Sequence, residues 1–263
     1  MNFKRFSHVD SSGNEVGAVT IEHLWAEVYG LLRIKKETSL ETEAWLDLFE
    51  QAMKFASEIR AGSVMYRLVK EPDSVAIKGF LPTLGFTKKS NRVEYKAEIS
   101  DLPNDEGSPI HWTSASQLGW EANEVASCLR SVSEGAPDSE PSDDPLVYIQ
   151  DWLKDPVLTH GPDCIAIGHF DGKLCALVVA QINPKTGWSR ISYMGLTPDF
   201  RGKGLGKWVH RHGFQMMKQQ GGRLYHGGTV VENLPMIKLF EQHGGKLFCE
   251  MEEWLSLIDG RQA

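Results

Sequence analysis

Met194-Gly195-Leu196-Thr197-Pro198-Asp199-Phe200-Arg201-Gly202-Lys203-Gly204-Leu205-Gly206 runs from an apolar strand through a glycine-rich turn into a long helical pattern. Gly202, Gly204 and Gly206 carry no Cβ, so the backbone here can approach a ligand closely. The first amides of the helix that follows have no carbonyl partners of their own. Those N–H groups and the positive end of the helix dipole favour an anionic group. Arg201, Lys203 and Lys207 surround the turn with positive charge. The stretch is a phosphate cradle by its composition.

Two familiar phosphate loops do not fit. A P-loop ending on Gly206-Lys207 needs glycine where Arg201 stands, and a hydroxyl where Trp208 stands, so the magnesium ligand is missing. A dinucleotide fingerprint needs Gly-x-Gly-x-x-Gly, whereas these glycines fall evenly at 202, 204 and 206, with no acidic residue at the expected distance. What fits is Arg-x-x-Gly-x-Gly, carried by Arg201, Gly204 and Gly206 directly after a Leu-x-Pro strand end.

This pattern resembles the acetyl-CoA signature of the GNAT superfamily of N-acetyltransferases, and the likeness extends over residues 110 to 258. Downstream of a helix expected over 200–219 come the break Gly221-Gly222, a strand candidate from Arg223 to Val230, and a second block from Glu232 to Phe248. Family members carry Asn there, then Tyr seven residues on, then Gly-Phe opening the last strand. Here Asn233 matches, Phe240 replaces the Tyr and Gly244-Gly245 replaces Gly-Phe.

The resemblance implies an α/β fold with a mixed, mostly antiparallel sheet flanked by helices. It implies acetyl-CoA as acyl donor, a small-molecule or peptide amine as acceptor, and direct attack on the thioester. Leu196, Thr197, Arg201, Gly202, Lys203, Gly204, Leu205, Gly206, Lys207, Asn233 and Phe240 become the expected cofactor contacts. The Leu196 backbone N–H is the expected oxyanion donor, a fixed dipole worth a few kcal/mol in such sites. Tyr193, His226 and Glu232 are the acid–base candidates. The family's thiolate protonator is the Tyr that Phe240 replaces, and a phenyl ring has no proton to give. A non-catalytic acyl-CoA-binding regulatory module is therefore the competing reading. Plainer roles stand beside these: Asn233 as a helix N-cap with Pro235 in the first turn, and His210 and His212 as solvated helix residues.

Composition narrows the remaining classes. The chain has 263 residues, 41% hydrophobic and 24% charged, with a formal net charge of -7, which disfavours a nucleic-acid partner. Cys128, Cys164, Cys175 and Cys249 lie in apolar stretches with no Cys-x-x-Cys pair, so buried thiols are expected and a metal site is not. No run approaches the ~18 apolar residues of a membrane span, and the N-terminus has no signal-peptide core. Together these place the chain in the cytoplasm, away from membranes. A homodimer is compatible with all of this.

Two tandem copies are expected. Turn formers and acids from Asp101 to Pro109 suggest a junction between a first domain over 1–103 and an acetyl-CoA-binding domain over 110–260. A shift of about 160 residues aligns the halves loosely: Arg60-Ala61-Gly62 with Gln220-Gly221-Gly222, and Leu81 to Phe86 with Phe240 to Gly245. The hairpin Phe3–Val9 and Val16–Ile21 then answers 164–182, whose turn is Asp171-Gly172. The first half has no cradle, since Ile34 to Ser39 contains no glycine, so it reads as a degenerate copy. The polar stretch from Ser133 to Pro145 reads as a mobile surface loop, with a lid over the acceptor groove as the alternative.

Overall fold

The structure, a computed structural model, describes residues 3–25, 27–35, 40–71, 74–136, 144–154 and 161–258. The strands are β1 (Phe3–Val9), β2 (Glu15–Trp25), β3 (Val28–Lys35), β4 (Ser63–Val69), β5 (Phe86–Glu98), β6 (His111–Ser114), β7 (Ile165–Phe170), β8 (Lys173–Ile182), β9 (Trp188–Leu196), β10 (Leu224–Val230) and β11 (Lys246–Leu257). The helices are α1 (Thr42–Glu58), α2 (Ser74–Phe80), α3 (Ala122–Ser133), α4 (Pro145–Lys154), α5 (Gly206–Gln219) and α6 (Leu234–Gln242).

Contacts divide the chain into Met1–Arg92 with Cys249–Ala263, and Val93–Phe248. In the first unit, β1, β2 and β3 form an antiparallel meander. After α1, β4 returns parallel to β3, from Val28↔Ser63 to Leu31↔Tyr66. Apolar residues at helical spacing drive this packing: Trp45, Leu48, Phe49, Ala52 and Ala56 form one buried stripe of α1. Phe49 meets Tyr66 edge-on at 4.9 Å between ring centres.

The second unit repeats the order. β7, β8 and β9 form an antiparallel meander, α5 follows, and β10 returns parallel to β9. The strand order is β5-β10-β9-β8-β7-β6. Asp171 and Gly172 both take positive φ, 49° and 73°, the twist that a two-residue hairpin demands. Alternation along β8 gives Ala176, Val178, Ala180 and Ile182 to a core shared with α5 and α6. Leu177 and Val179 turn to the opposite core, made with α3 and α4. Each unit thus contains a β-β-β-α-β-α run, preceded in the second by β6, α3 and α4, and a final strand follows each run: β5 after α2, β11 after α6. Residues 251–257 of β11 pair antiparallel with β4, and β5 neighbours β10. The fold is a tandem α/β arrangement of mixed, mostly antiparallel strands flanked by helices.

Two expectations change. The contact division falls at 92/93 and 248/249, inside β5 and β11, and not at residues 101–109. The 101–109 segment belongs to the second unit, where its polar groups serve α5 directly. Lys218 Nζ donates to the Leu102 carbonyl at 2.6 Å and to Asn104 Oδ1 at 2.8 Å, and His212 Nδ1 lies 2.6 Å from Asp105 Oδ2. The helix expected from 200 starts at Gly206, because positive φ at Gly202 and Gly204, 73° each, is incompatible with a right-handed helix. Of the stretches read as the missing first cradle and the acidic loop, residues 36–39 and 137–143 lie outside the described residues.

Candidate functional site

The cradle is built by the end of β9, a 3-10 turn at Pro198–Phe200, and the start of α5. Among the described residues, no amide from 202 to 207 donates to a protein acceptor; the first helical bonds are Trp208 N–H and Val209 N–H to the Leu205 carbonyl. Six consecutive donors thus gather at the positive end of α5. A Cβ at Gly202 or Gly204 would meet no atom within 4 Å, so these positions require glycine for backbone conformation while the space above stays open. Leu205 is buried and anchors the turn, and Phe200 meets Phe170 edge-on at 5.9 Å. Lys203 and Lys207 are exposed, with their ammonium groups over the rings of Phe200 and Trp208. Arg201 is used differently from the charged rim expected of it. Its Nε donates to the Leu196 carbonyl and its Nη2 to the Val132 carbonyl, both at 3.0 Å, so its side chain ties the strand end to the last turn of α3.

Beside the cradle the sheet opens. The parallel ladder between β10 and β9 covers only Leu224–His226 against Trp188–Arg190. Thr197 N–H donates to the Cys175 carbonyl at 2.9 Å, and Leu196 pairs with Ala176. Antiparallel hydrogen bonds alternate residue by residue, so Leu196 turns its N–H to the other edge of β9, into the opening, while its carbonyl is taken by Arg201 Nε. A bulge sits between Tyr193 and Ile191, with Ser192 the extra residue. It lets Ser192 and Tyr193, though consecutive, both serve the α3/α4 face. Ser192 Oγ bonds Gln181 Oε1, to which Arg190 Nη2 donates at 3.0 Å, and Tyr193 packs on Trp152 at 6.1 Å.

His226 is paired in register with Arg190, so it shares that face. Trp188 and Phe248 flank its ring at 5.4 and 6.1 Å. Burial, then the Lys96 ammonium, holds its pKa below the ordinary histidine value, so the imidazole is neutral at neutral pH. Glu232 is exposed ahead of α6, on the turn after β10. Tyr193, His226 and the Leu196 amide therefore border the opening from β9 and β10, while Glu232 stands outside it.

Asn233 is the N-cap of α6: its Oδ1 accepts from Met236 N–H at 3.3 Å and its Nδ2 donates to Thr229 Oγ1 at 3.0 Å. Phe240 is 2% exposed and stacks on Tyr95 at 4.9 Å and 21°. The two helix histidines are not solvated. His210 is fully buried, and His212 is partly buried, stacked flat on Trp112 at 4.2 Å and held by Asp105. Sequence reasoning also missed a buried polar chain from Tyr225 Oη to His210 Nε2 at 3.2 Å and from His210 Nδ1 to His243 Nδ1 at 3.0 Å. Its members come from β10, from α5 and from the end of α6, and no local spacing announces the meeting.

The fold and this opening define an α/β protein with a run of unpaired backbone amides at the mouth of a parted sheet. Residues 125–245, within the second unit, match the acetyltransferase (GNAT) family model. The chain is similar in structure to a GCN5-related N-acetyltransferase from Sphaerobacter thermophilus, with TM-score 0.69 and 12% identity over 97% of this chain and 80% of that one. A GCN5-related N-acetyltransferase from Kribbella flavida gives 0.63 and 15% over 92% and 87%. A tandem GNAT protein from the clavulanic acid biosynthesis pathway gives 0.61 and 12% over 99% and 85%. At such identities the likeness speaks for the fold. No curated protein matches the sequence.

Proposed function

We propose that the second unit binds acetyl-CoA and transfers its acetyl group to a primary amine of a small molecule or peptide, by direct attack on the thioester. The observation that carries this reading is the run of unpaired amides from 202 to 207 beside an opening between β9 and β10. Amides of Gly202, Lys203, Gly204, Leu205, Gly206 and Lys207 would hold the diphosphate, with Lys203 and Lys207 supplying positive charge. The Leu196 N–H would receive the extended arm as an added strand and is aimed to meet charge that develops on the carbonyl oxygen, with Thr197, its own N–H spent on Cys175, flanking the arm. Asn233 and Phe240 shape the far wall through the start of α6 and the core beneath it. The thioester supplies an activated acetyl group, and the protein aligns it and manages protons.

A neutral His226 is suited to accept the proton of the attacking amine, with Tyr193 on the same face as an orienting or second proton group. Burial pushes the Cys128 and Cys175 thiols up to about 12 and about 11, so neither is a thiolate nucleophile at neutral pH, which favours direct transfer. In this reading the first unit is a degenerate copy that takes no coenzyme, and the free thiols suit a reducing cytoplasm. Phe240 favours one competing reading, a module that binds acyl-CoA without turnover. Calorimetry with acetyl-CoA, followed by release of free thiol over a panel of primary amines, tests both. Saturable binding with amine-stimulated thiol release is expected. Binding without release on any amine would select the module, and no binding would refute both.

A further inference from the structure

The missing hydroxyl of Phe240 has a replacement close by. Where the β9–β10 ladder ends at His226, the next residue of β10 is Gly227, the first one in the opening. A Cβ at Gly227 would collide with Tyr225 Oη and would come within 2.6 Å of the Phe240 ring edge. The hydroxyl of Tyr225 and the ring edge of Phe240 thus converge over one point of the parted sheet. Tyr225 reaches it because residue 227 is glycine.

Hydrogen-bond direction decides what that hydroxyl can do. Arg211 Nε, which can only donate, lies 3.4 Å from His243 Nε2. His243 Nε2 must then accept, which leaves its proton on Nδ1, facing His210 Nδ1 at 3.0 Å. His210 Nδ1 accepts in turn, so its proton sits on Nε2 and is donated to Tyr225 Oη at 3.2 Å. Each imidazole must be neutral for this to hold. Burial and the facing His243 push His210 well below the ordinary value, and burial with the Arg211 charge lowers His243 to about 4. Among the described residues His210 is the hydroxyl's one hydrogen-bond partner, and it is a donor. The Tyr225 proton is therefore left to point elsewhere.

We propose that Tyr225, aligned by His210, His243 and Arg211, returns the proton to the leaving coenzyme sulfur, the step Phe240 has no group to perform. The inference rests on the acetyl-transfer reading above. As the amine nitrogen bonds the acetyl carbon and gives its proton to the base and then to solvent, the carbon–sulfur bond breaks and its electron pair goes to sulfur. The Tyr225 O–H proton moves to that sulfur, and the phenolate, held by the His210 Nε2–H, takes a proton back from solvent once the thiol has left, so both imidazoles keep the tautomers that Arg211 fixes. Tyr225 acts on the sulfur itself; His210, His243 and Arg211 are positioning residues.

The test uses the full chain with coenzyme A as probe. Calorimetry first measures its binding, and the bound thiol is then titrated by thiolate absorbance in the ultraviolet. A hydroxyl aimed at sulfur stabilises the thiolate, so Tyr225→Phe should raise the bound thiol's pKa by about one unit while affinity stays near that of the unaltered chain. Tyr225→Phe with Phe240→Tyr should restore the original value. Arg211→Gln, a substitution on a part-exposed residue, frees the two tautomers to reverse and should move the thiol in the same direction. On any amine that the unaltered chain acetylates, Tyr225→Phe should lower kcat about 100-fold at unchanged KM for acetyl-CoA. Coenzyme that binds but titrates identically in all three variants overturns the proton path and leaves the transfer reading standing. Failure of the unaltered chain to bind coenzyme overturns the transfer reading, and the proton path with it.

Discussion

Gly204→Glu isolates the cradle from the rest of the molecule. Gly204 has φ 73°, and a side chain there meets nothing within 4 Å. The substitution therefore costs backbone strain without a clash, about 1–2 kcal/mol for a non-glycine residue held in the left-handed region. For a chain of this size that lowers Tm by about 2–4 °C per kcal/mol. The new carboxylate stands among the unpaired amides of 202–207, the proposed diphosphate site. One unit charge about 6 Å from another costs about 3 kcal/mol at an effective dielectric of about 20, and a diphosphate carries more than one. The Kd for acetyl-CoA should rise at least about 100-fold. Gly204→Ala carries the same strain without the charge, so it should lose the same few degrees of Tm but less than about tenfold in affinity. Isothermal calorimetry and thermal melts on the three proteins measure both quantities. If Gly204→Glu binds acetyl-CoA as tightly as the unaltered chain, the amides of this loop do not hold the diphosphate.

Three further outcomes follow from other groups. The folded pKa of His243, about 4, lies below its unfolded value of 6.5, so the unfolded chain binds more protons between those pH values. Stability should therefore fall as pH drops from 6.5 towards 4, by up to about 3 kcal/mol from this residue, with His210 adding in the same direction; a flat urea-denaturation midpoint over that range would contradict the buried neutral pair. Asn233→Ala removes the cap acceptor for Met236 N–H and the donor to Thr229, and should cost about 1 kcal/mol in denaturant unfolding; no loss would mean that the cap is not formed in solution. His226→Gln should lower amine acetylation about 100-fold and abolish the acidic limb of the kcat/KM profile, which in the unaltered chain lies below the ordinary histidine pKa; a limb that survives the substitution assigns the base to another group.

Much of the site's frame was legible because it is local. Gly202 and Gly204 announce left-handed backbone, Asp171-Gly172 announces a tight hairpin, and Asn233 with Pro235 announces a helix start; each is a choice made within a few residues. The 101–109 segment misled for the opposite reason. Its turn formers and acids look the same whether they face water or, as here, supply partners to Lys218 and His212 on α5. The histidines of α5 misled likewise, since nothing at positions 210 and 212 tells that an aromatic ring from another element lies over each. Arg201 sits where its sequence motif puts it, but its guanidinium is spent on two carbonyls, one of them 69 residues away.

The sequence by itself determined the glycine turn ahead of α5, the order of strands and helices that repeats along the chain, and the absence of a hydroxyl at position 240. These depend on backbone torsions and apolar periodicity, which a short window of residues specifies. Tertiary structure alone decided that the β9–β10 ladder stops after three residue pairs, that β11 pairs with β4, and that Tyr225, His210 and His243 join into one directed chain. Such features arise where distant segments exclude water together, and hydrogen-bond direction in that dry interior is set by partners the local sequence does not contain.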